Sequence, residues 1–420
     1  MCIRDRFNLK HFTLAIIDEA SQILEPDLIG ILSARHNRDN AIDNFILIGD
    51  YKQLPAIAQQ NEEEARIDNP LLQSIGLTDC RNSLFERLYR QSDEAFRSIL
   101  HKQGRMHPAI SEFPNNTFYY REQLEPIPLP HQEESLPYPS ASAPQDDLDR
   151  LIQTRRMVFI PSETPDNINY SEKTNINEAR IVATLLTRIY RMTSDTFDAN
   201  KTVGVIVPYR NQIAMIRREI AQTNIPELNN ISIDTVERYQ GSQRDVIIYS
   251  FTIQNFSQLN FLTSNTFREG EYLIDRKLNV AITRARKQLF LTGNPQILGA
   301  NITFYKLMEY IRMNNGYIDV GTEAFCRGDF ELPEYTSGWD VQSDSYLLPE
   351  SFRNAFQKIV TVDDEALNDE ARNRELVAYG RYDFSSPDDE IPASKRLQLY
   401  NYYYMPVSYT HLRDHETSLH

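Results

Sequence analysis

The chain has 420 residues, 41% of them apolar and 25% charged, enough for two or three domains of about 150 residues with buried cores. Mean hydropathy is −0.51, and no run approaches the ~18 apolar residues that span a bilayer, so neither membrane insertion nor a secretory signal is supported. Cys2, Cys80 and Cys326 lie far apart and form no CxxC, which argues for a reducing intracellular compartment and against a structural zinc site or a disulfide framework.

The formal net charge of −15 speaks at first against a polyanionic partner. It is unevenly spread, however. Residues 321–420 hold nineteen acidic side chains against nine basic ones, whereas residues 201–300 hold twelve basic against eight acidic. Net charge describes the whole chain only, and a locally basic middle keeps nucleic acid open as a partner.

In chain order, short β-branched runs alternate with stretches of helical period. Leu14–Ile17 and Phe45–Ile48 are the first two runs. Met157–Ile160, Val203–Val207, Ile231–Val236, Asp245–Phe251 and Gln288–Thr292 follow. Such runs predict buried strands of a mostly parallel sheet. Asn177–Tyr190 and Asn211–Ala221 space apolar residues at i, i+3, i+4 and i+7 and predict amphipathic helices. Strands alternating with helices define an α/β fold class. Residues 121–150 break the pattern with six prolines, Pro126, Pro128, Pro130, Pro137, Pro139 and Pro144, and predict a linker or an inter-domain excursion. Beyond about Val320 the periodicity weakens into acidic clusters and the run Tyr402-Tyr403-Tyr404.

Several constellations carry possible chemistry. Asp18-Glu19-Ala20-Ser21 closes the first apolar run, at the strand end where open α/β sheets bind ligands. One carboxylate there can hold Mg2+ and the other can orient an attacking water, although a lone acidic pair also suits a solvated strand end. Phe45–Pro55 reads FILIGDYKQLP, so that Gln53 follows a neighbouring strand and could sense a γ-phosphate; an ordinary turn is the alternative. Leu100–Tyr119 contains QGRMHP, with Arg105 offering a rigid donor fork suited to phosphate. His107 reads as a structural histidine. Ile231–Ser250 reads ISIDTVERYQGSQRDVIIYS, a polar turn with Gly241 between two strands, where amides can approach a phosphate or sugar. Arg276–Asn294 reads RKLNVAITRARKQLFLTGN, a predicted helix with Arg284 and Arg286 near its end and then a strand. One such arginine could act as an arginine finger; the alternative is a basic helix face.

In order and wording, DEAS, GDYKQLP, QGRMHP, VPYRNQ, DTVERYQGSQRDVIIYS and LNVAITRAR resemble the later motifs of superfamily 1 helicases, specifically the 1B branch, across about residues 12–315. The resemblance implies two RecA-like P-loop-NTPase-type domains with parallel sheets, ATP and Mg2+ in the cleft, and single-stranded DNA or RNA across the top. It assigns Mg2+ to Asp18 and the water-orienting base to Glu19. Gln53 would couple the γ-phosphate to strand movement, and Arg105 and Arg284 would contact that phosphate. Gly241 and Gln243 would lie near the phosphates or ribose, and Thr235 near the nucleic-acid backbone. Tyr209, with Pro208, matches a family pair that serves either as a contact or as a strand-end turn. Gly104 stands where the family usually has Tyr, and Gln243 where it usually has Glu; the second change keeps an acceptor and removes a charge. The family also implies a monomer without membrane attachment and movement 5′ to 3′.

None of the fourteen glycines precedes a lysine, so the GxxxxGK[ST] loop that cradles phosphates is not found in the sequence. The expectation is therefore a C-terminal portion of a helicase, its first domain N-terminally truncated, and inactive alone as an ATPase. MCIRDR and PVSYTHLRDHETSLH fit no period and resemble translated sequencing-adapter read-through. The expected organisation is a non-native end at 1–6, a partial RecA-like domain at 7–120 and a linker at 121–150. A second RecA-like domain then occupies 151–320, an acidic tail 321–405 and a non-native end 406–420. A degenerate, non-catalytic scaffold for nucleic acid or protein is the alternative function.

Overall fold

The two apolar runs at the start of the chain become strands β1 (Phe12–Ile17) and β2 (Ile42–Leu47). They pair in parallel, with Phe12 opposite Ile42 and Ile17 opposite Leu47. The coordinates are a computed structural model that describes residues 10–36, 39–138, 141–165, 171–270 and 272–332. The expected ends at 1–6 and 406–420, and all but the first residues of the acidic tail, lie outside the described residues.

The described chain falls into two compact units. One takes the residues up to Gln103, Pro114–Ile127 and Asn265–Val280; the other takes Gly104–Phe113, Pro128–Ser264 and the residues from Ala281 onward. This grouping is not collinear with the sequence, whereas the expected division was. A hairpin, Thr266–Glu269 against Tyr272–Asp275, belongs to the first unit although it follows most of the second in sequence.

The second unit is built on five strands: β3 (Met157–Pro161), β4 (Val203–Val207), β5 (Ser232–Thr235), β6 (Arg244–Ser250) and β7 (Ala285–Gly293). Their order is β3-β7-β6-β4-β5, and every pairing is parallel. Parallel neighbours require crossover connections. The helices Ile176–Thr193 and Arg210–Ala221 supply two of them, after β3 and after β4. Asn175 starts the longer helix by accepting the amides of Asn177 and Glu178. Ile181, Leu185, Ile189, Ile216 and Ile220 then pack with Val158, Val205, Ile248 and Phe290 of the sheet in one buried cluster.

One expectation needs correction. The strands of the first unit are not buried: Leu14 is 45% and Ile16 63% exposed. Among the described residues the sheet there has two strands, so apolar side chains that a larger parallel sheet would enclose meet solvent instead. The proline-rich stretch, expected as a linker or an inter-domain excursion, contains the passage from one unit to the other between Ile127 and Pro128 and carries short elements of its own. Glu125–Pro126 pairs with Lys102–Gln103, and Pro130 sits at the first position of a helical turn, where its missing N–H costs nothing. Asp147–Thr154 forms a further helix, pinned to the Ile176–Thr193 helix where Asp149 meets Arg188 and Arg191 at 2.8 and 2.5 Å.

Among the described residues no helix is long and apolar enough to cross a membrane. Because Ile248 is fully buried at the centre of the five-stranded sheet, Ile248→Ala should destabilise the second unit by about 2–5 kcal/mol. Urea unfolding followed by circular dichroism measures the loss, and a change below about 0.5 kcal/mol would contradict this packing.

Candidate functional site

Asp18 and Glu19 stand exposed just past the C-terminal end of β1. Glu19 has φ 52°, the left-handed region that few non-glycine residues occupy. Its amide donates to Asp18 Oδ1 at 2.9 Å, and Gln22 Nε2 donates to its Oε2 at 2.5 Å. The acidic pair is thus a sharp turn into the short helix Ala20–Gln22 rather than a continuation of the strand.

The end of β2 is fastened to this turn. Ala20 donates its amide to Ile48 O at 2.8 Å, and the Asp50 amide donates to Ser21 Oγ at 3.2 Å. Gly49 is needed for the approach, because a Cβ there would lie 2.9 Å from the Ser21 amide nitrogen. DEAS and GDYKQLP are therefore one structural element of the first unit. Asp50 organises the loop: Oδ1 accepts the Lys52 amide at 2.9 Å, while Oδ2 accepts Gln53 Nε2 at 3.0 Å and the Tyr119 hydroxyl at 2.6 Å. Burial, reinforced by the Asp50 carboxylate, raises the Tyr119 hydroxyl well above its ordinary pKa. Half-buried Gln53 is thus held by a carboxylate that the sequence reading left without a role.

In the second unit three distant motifs converge. Arg105 Nε donates to Gln243 Oε1 at 3.0 Å, and its Nη1 donates to Thr283 O at 3.2 Å. Arg284 follows directly and is only 2% exposed. Its position corrects the sequence reading. The helix ends at Ile282, Arg284 donates its amide to Ala281 O as in a tight final turn, and β7 begins at Ala285, opposite Arg244. Arg286 and Lys287 are therefore strand residues, and Arg286 pairs with Asp245 at 2.6 Å. Gly241 has φ 79° in an exposed turn between the short helix Val236–Tyr239 and β6. The Arg105 turn is braced from behind: His131 Nε2 lies 2.9 Å from Arg105 O, and Gln132 donates to Met106 O. His107 Nε2 lies 3.1 Å from Glu134 O, and burial first and Arg156 second push the His107 pKa down to about 4.

Parallel strands separate the candidate residues. Gln243 and Arg284 precede β6 and β7, at the N-terminal edge of the sheet, while Tyr209 and Thr235 follow or end β4 and β5 at the opposite edge. Val207 is opposite Thr235 in register, so Tyr209 and Thr235 belong to neighbouring strand ends. Tyr209 stacks on Phe261 with centroids 5.1 Å apart, and Lys173 lies over its ring.

Sequence reasoning also missed a buried carboxylate at that second edge. Glu178 Oε2 accepts the Ser250 hydroxyl at 2.6 Å and the Thr252 amide at 2.9 Å, and Oε1 accepts Ser162 Oγ and Asn175 Nδ2. Burial raises its pKa to about 7 against these bonds, which favour the ionised form. Its one sequence signal was a charge on the apolar face of a predicted helix. Thr252, which it anchors, has φ 54°, an uncommon conformation for a β-branched residue.

Among the described residues no group of three or more His, Cys, Asp or Glu side chains could hold a metal ion. Mg2+ makes a smaller demand, ordinarily one or two carboxylates with water and phosphate oxygens, and exposed Asp18 fits it. Parallel α/β topology with such a strand-end carboxylate places the protein in the class of P-loop-NTPase-type folds. The chain belongs to the AAA-domain family, within the superfamily 1 helicases: one AAA-domain model matches residues 80–296 and another residues 2–61. It is 30% identical over 314 residues to an uncharacterized ATP-dependent helicase of Methanocaldococcus jannaschii, covering 72% of this chain and 39% of that protein. Identity is also 30% to the DNA polymerase alpha-associated DNA helicase A of Saccharomyces cerevisiae, covering 70% of this chain and 40% of that one. A DNA replication ATP-dependent helicase/nuclease of Arabidopsis thaliana is 27% identical across 74% of this chain and 21% of its own length. The chain thus spans two fifths or less of each of these relatives.

Two outcomes follow from the geometry. Gly49→Ala should part the β2 end from Ser21 and speed amide exchange at Asp50, read by hydrogen–deuterium exchange; unchanged protection would contradict the close approach. Glu178 has a folded pKa above that of an ordinary carboxyl, so its stabilising contribution is full below about pH 4.5 and is lost as pH rises through about 7. Glu178→Gln should therefore flatten the fall in thermal midpoint between pH 5 and pH 8, relative to wild type. Parallel profiles for the two proteins would contradict it.

Proposed function

We propose that the protein is an intracellular, ATP-dependent superfamily 1 helicase or translocase that couples ATP hydrolysis to movement along single-stranded DNA or RNA. The observation that carries this reading is the meeting of Arg105, Gln243 and Thr283-Arg284, brought together over sequence separations of 138 and 178 residues. Family membership and the naming of relatives as ATP-dependent helicases support it.

In this reading Asp18 is the side chain that would hold Mg2+, which when bound would supply charge neutralisation at the phosphoryl group. Glu19 orients the attacking water, its carboxylate steadied by Gln22. Gln53, held by Asp50, reports the state of the γ-phosphate to the rest of its unit. Arg105 and Arg284 stabilise charge that develops in the transition state, and Gln243 fixes the Arg105 fork from a neutral acceptor. Gly241 leaves its turn open for backbone approach to phosphate or ribose. Thr235 and Tyr209 contact the strand, where phosphate contacts and stacking dominate affinity.

The neutral Gln243 bond favours one second reading, a binding scaffold without turnover. The same assay decides between them. Glu19→Gln and Arg284→Ala should each lower strand-stimulated ATPase about 10³-fold or more, while strand binding by anisotropy persists and weakens with added salt. Near wild-type turnover in either variant contradicts the roles given; strand binding without ATPase in the wild type supports the scaffold.

A further inference from the structure

Lys52 is the residue of GDYKQLP that the catalytic reading leaves unused, and its surroundings are unusual for a lysine. Its side chain is 1% exposed. Nζ lies 2.8 Å from Glu122 Oε2, 2.8 Å from Glu269 Oε2 and 2.9 Å from Phe118 O. The rings of Tyr51, Tyr119 and Tyr120 stand 5.2–5.9 Å from it. A buried ammonium is tolerated only when its donors are met; here Glu122 and the Phe118 carbonyl accept from it, and Glu269 adds a second ion pair. Burial alone would raise the Glu269 carboxyl, but Lys52 and the Tyr51 hydroxyl, 2.5 Å away, hold it below its ordinary pKa.

These partners come from three places in the sequence and one compact unit. Glu122 follows the helix Pro108–Thr117, and Glu269 lies in the hairpin Thr266–Asp275. The helix Arg276–Ile282 follows that hairpin at once and grips the same loop. Arg276 Nε donates to Tyr51 O at 2.7 Å, and Asn279 Nδ2 donates to Lys52 O at 2.9 Å and reaches the Tyr119 hydroxyl. Two successive carbonyls and one buried ammonium of the loop are therefore held by a segment that ends two residues before Arg284.

We propose that Lys52 is a positioning residue: its pairing with Glu122 and Glu269 locks the Gln53 loop to the hairpin and to the root of the helix leading to Arg284, so that these move as one body. This rests on the helicase reading for its functional meaning, but the mechanical lock does not.

The test separates the lock from simple stability. Lys52→Met alone strands two buried carboxylates and should destabilise the fold. The triple variant Lys52→Met, Glu122→Gln, Glu269→Gln carries no uncompensated charge and should melt near the wild-type midpoint. In the 420-residue chain, hydrogen–deuterium exchange at the amides of Asp50 and Gln53 should rise about tenfold or more in the triple variant, with exchange in strands β4 and β6 unchanged. Wild-type exchange at those two amides overturns the lock. The triple variant should also lower strand-stimulated kcat about tenfold with KM for ATP within about twofold of wild type. Equal kcat, with wild-type activity present, overturns the positioning role. A wild type without any ATPase indicts the helicase reading instead, and the exchange measurement then still decides the lock.

Discussion

A parallel sheet gives every strand the same direction, and in the five-stranded unit that constraint sorts the chemistry. Residues that introduce β6 and β7, Gln243 and Arg284, are delivered to one edge; residues that end β4 and β5, Tyr209 and Thr235, are delivered to the other. No loop could exchange the two sets without reversing a strand and losing the ladder that holds it. Groups proposed to act on phosphate and groups proposed to touch a nucleic-acid strand are thereby kept apart by topology alone. The helices Ile176–Thr193 and Arg210–Ala221 fix this order by burying the crossovers against the sheet.

Within the smaller unit the ordering principle is different. Among the described residues its β1–β2 ladder has two strands, too few to organise a site by itself. Side-chain bonds do that work: Ser21 receives the Asp50 amide, Asp50 gathers Lys52, Gln53 and Tyr119, and Glu25 holds Arg87 at 2.5 Å. Such polar networks are strong when complete, because each buried group left without a partner costs more than a surface bond returns.

The strands and helices were legible because hydrophobic period reports local geometry directly. The run Val203–Val207 matches its strand to the residue, and the basic segment after Ile282 was misread only in where helix gives way to strand. The pairing of Arg105 with Gln243 was not legible from pattern, since nothing local to either residue names the other. Lys52 is the sharper case: a lone lysine in a turn predicts a solvated side chain, and its carboxylates lie 70 and 217 residues away. The exposure of Leu14 and Ile16 was equally hidden, because an apolar run announces a strand without announcing how many neighbours it has. The short elements of the proline-rich stretch were not legible for a physical reason too: proline starts helical turns as well as ending them.

The burial of Lys52 separates two kinds of electrostatics in one protein. Dissolved ions screen charges that face water over distances of about 8–10 Å at ordinary ionic strength, but they act far less on a pair sealed inside the fold. Salt added to this protein therefore reaches exposed Lys173 and Arg210 while leaving the ammonium beneath the tyrosines almost untouched. Ionic strength becomes a dial that turns surface attraction down without loosening the Gln53 loop.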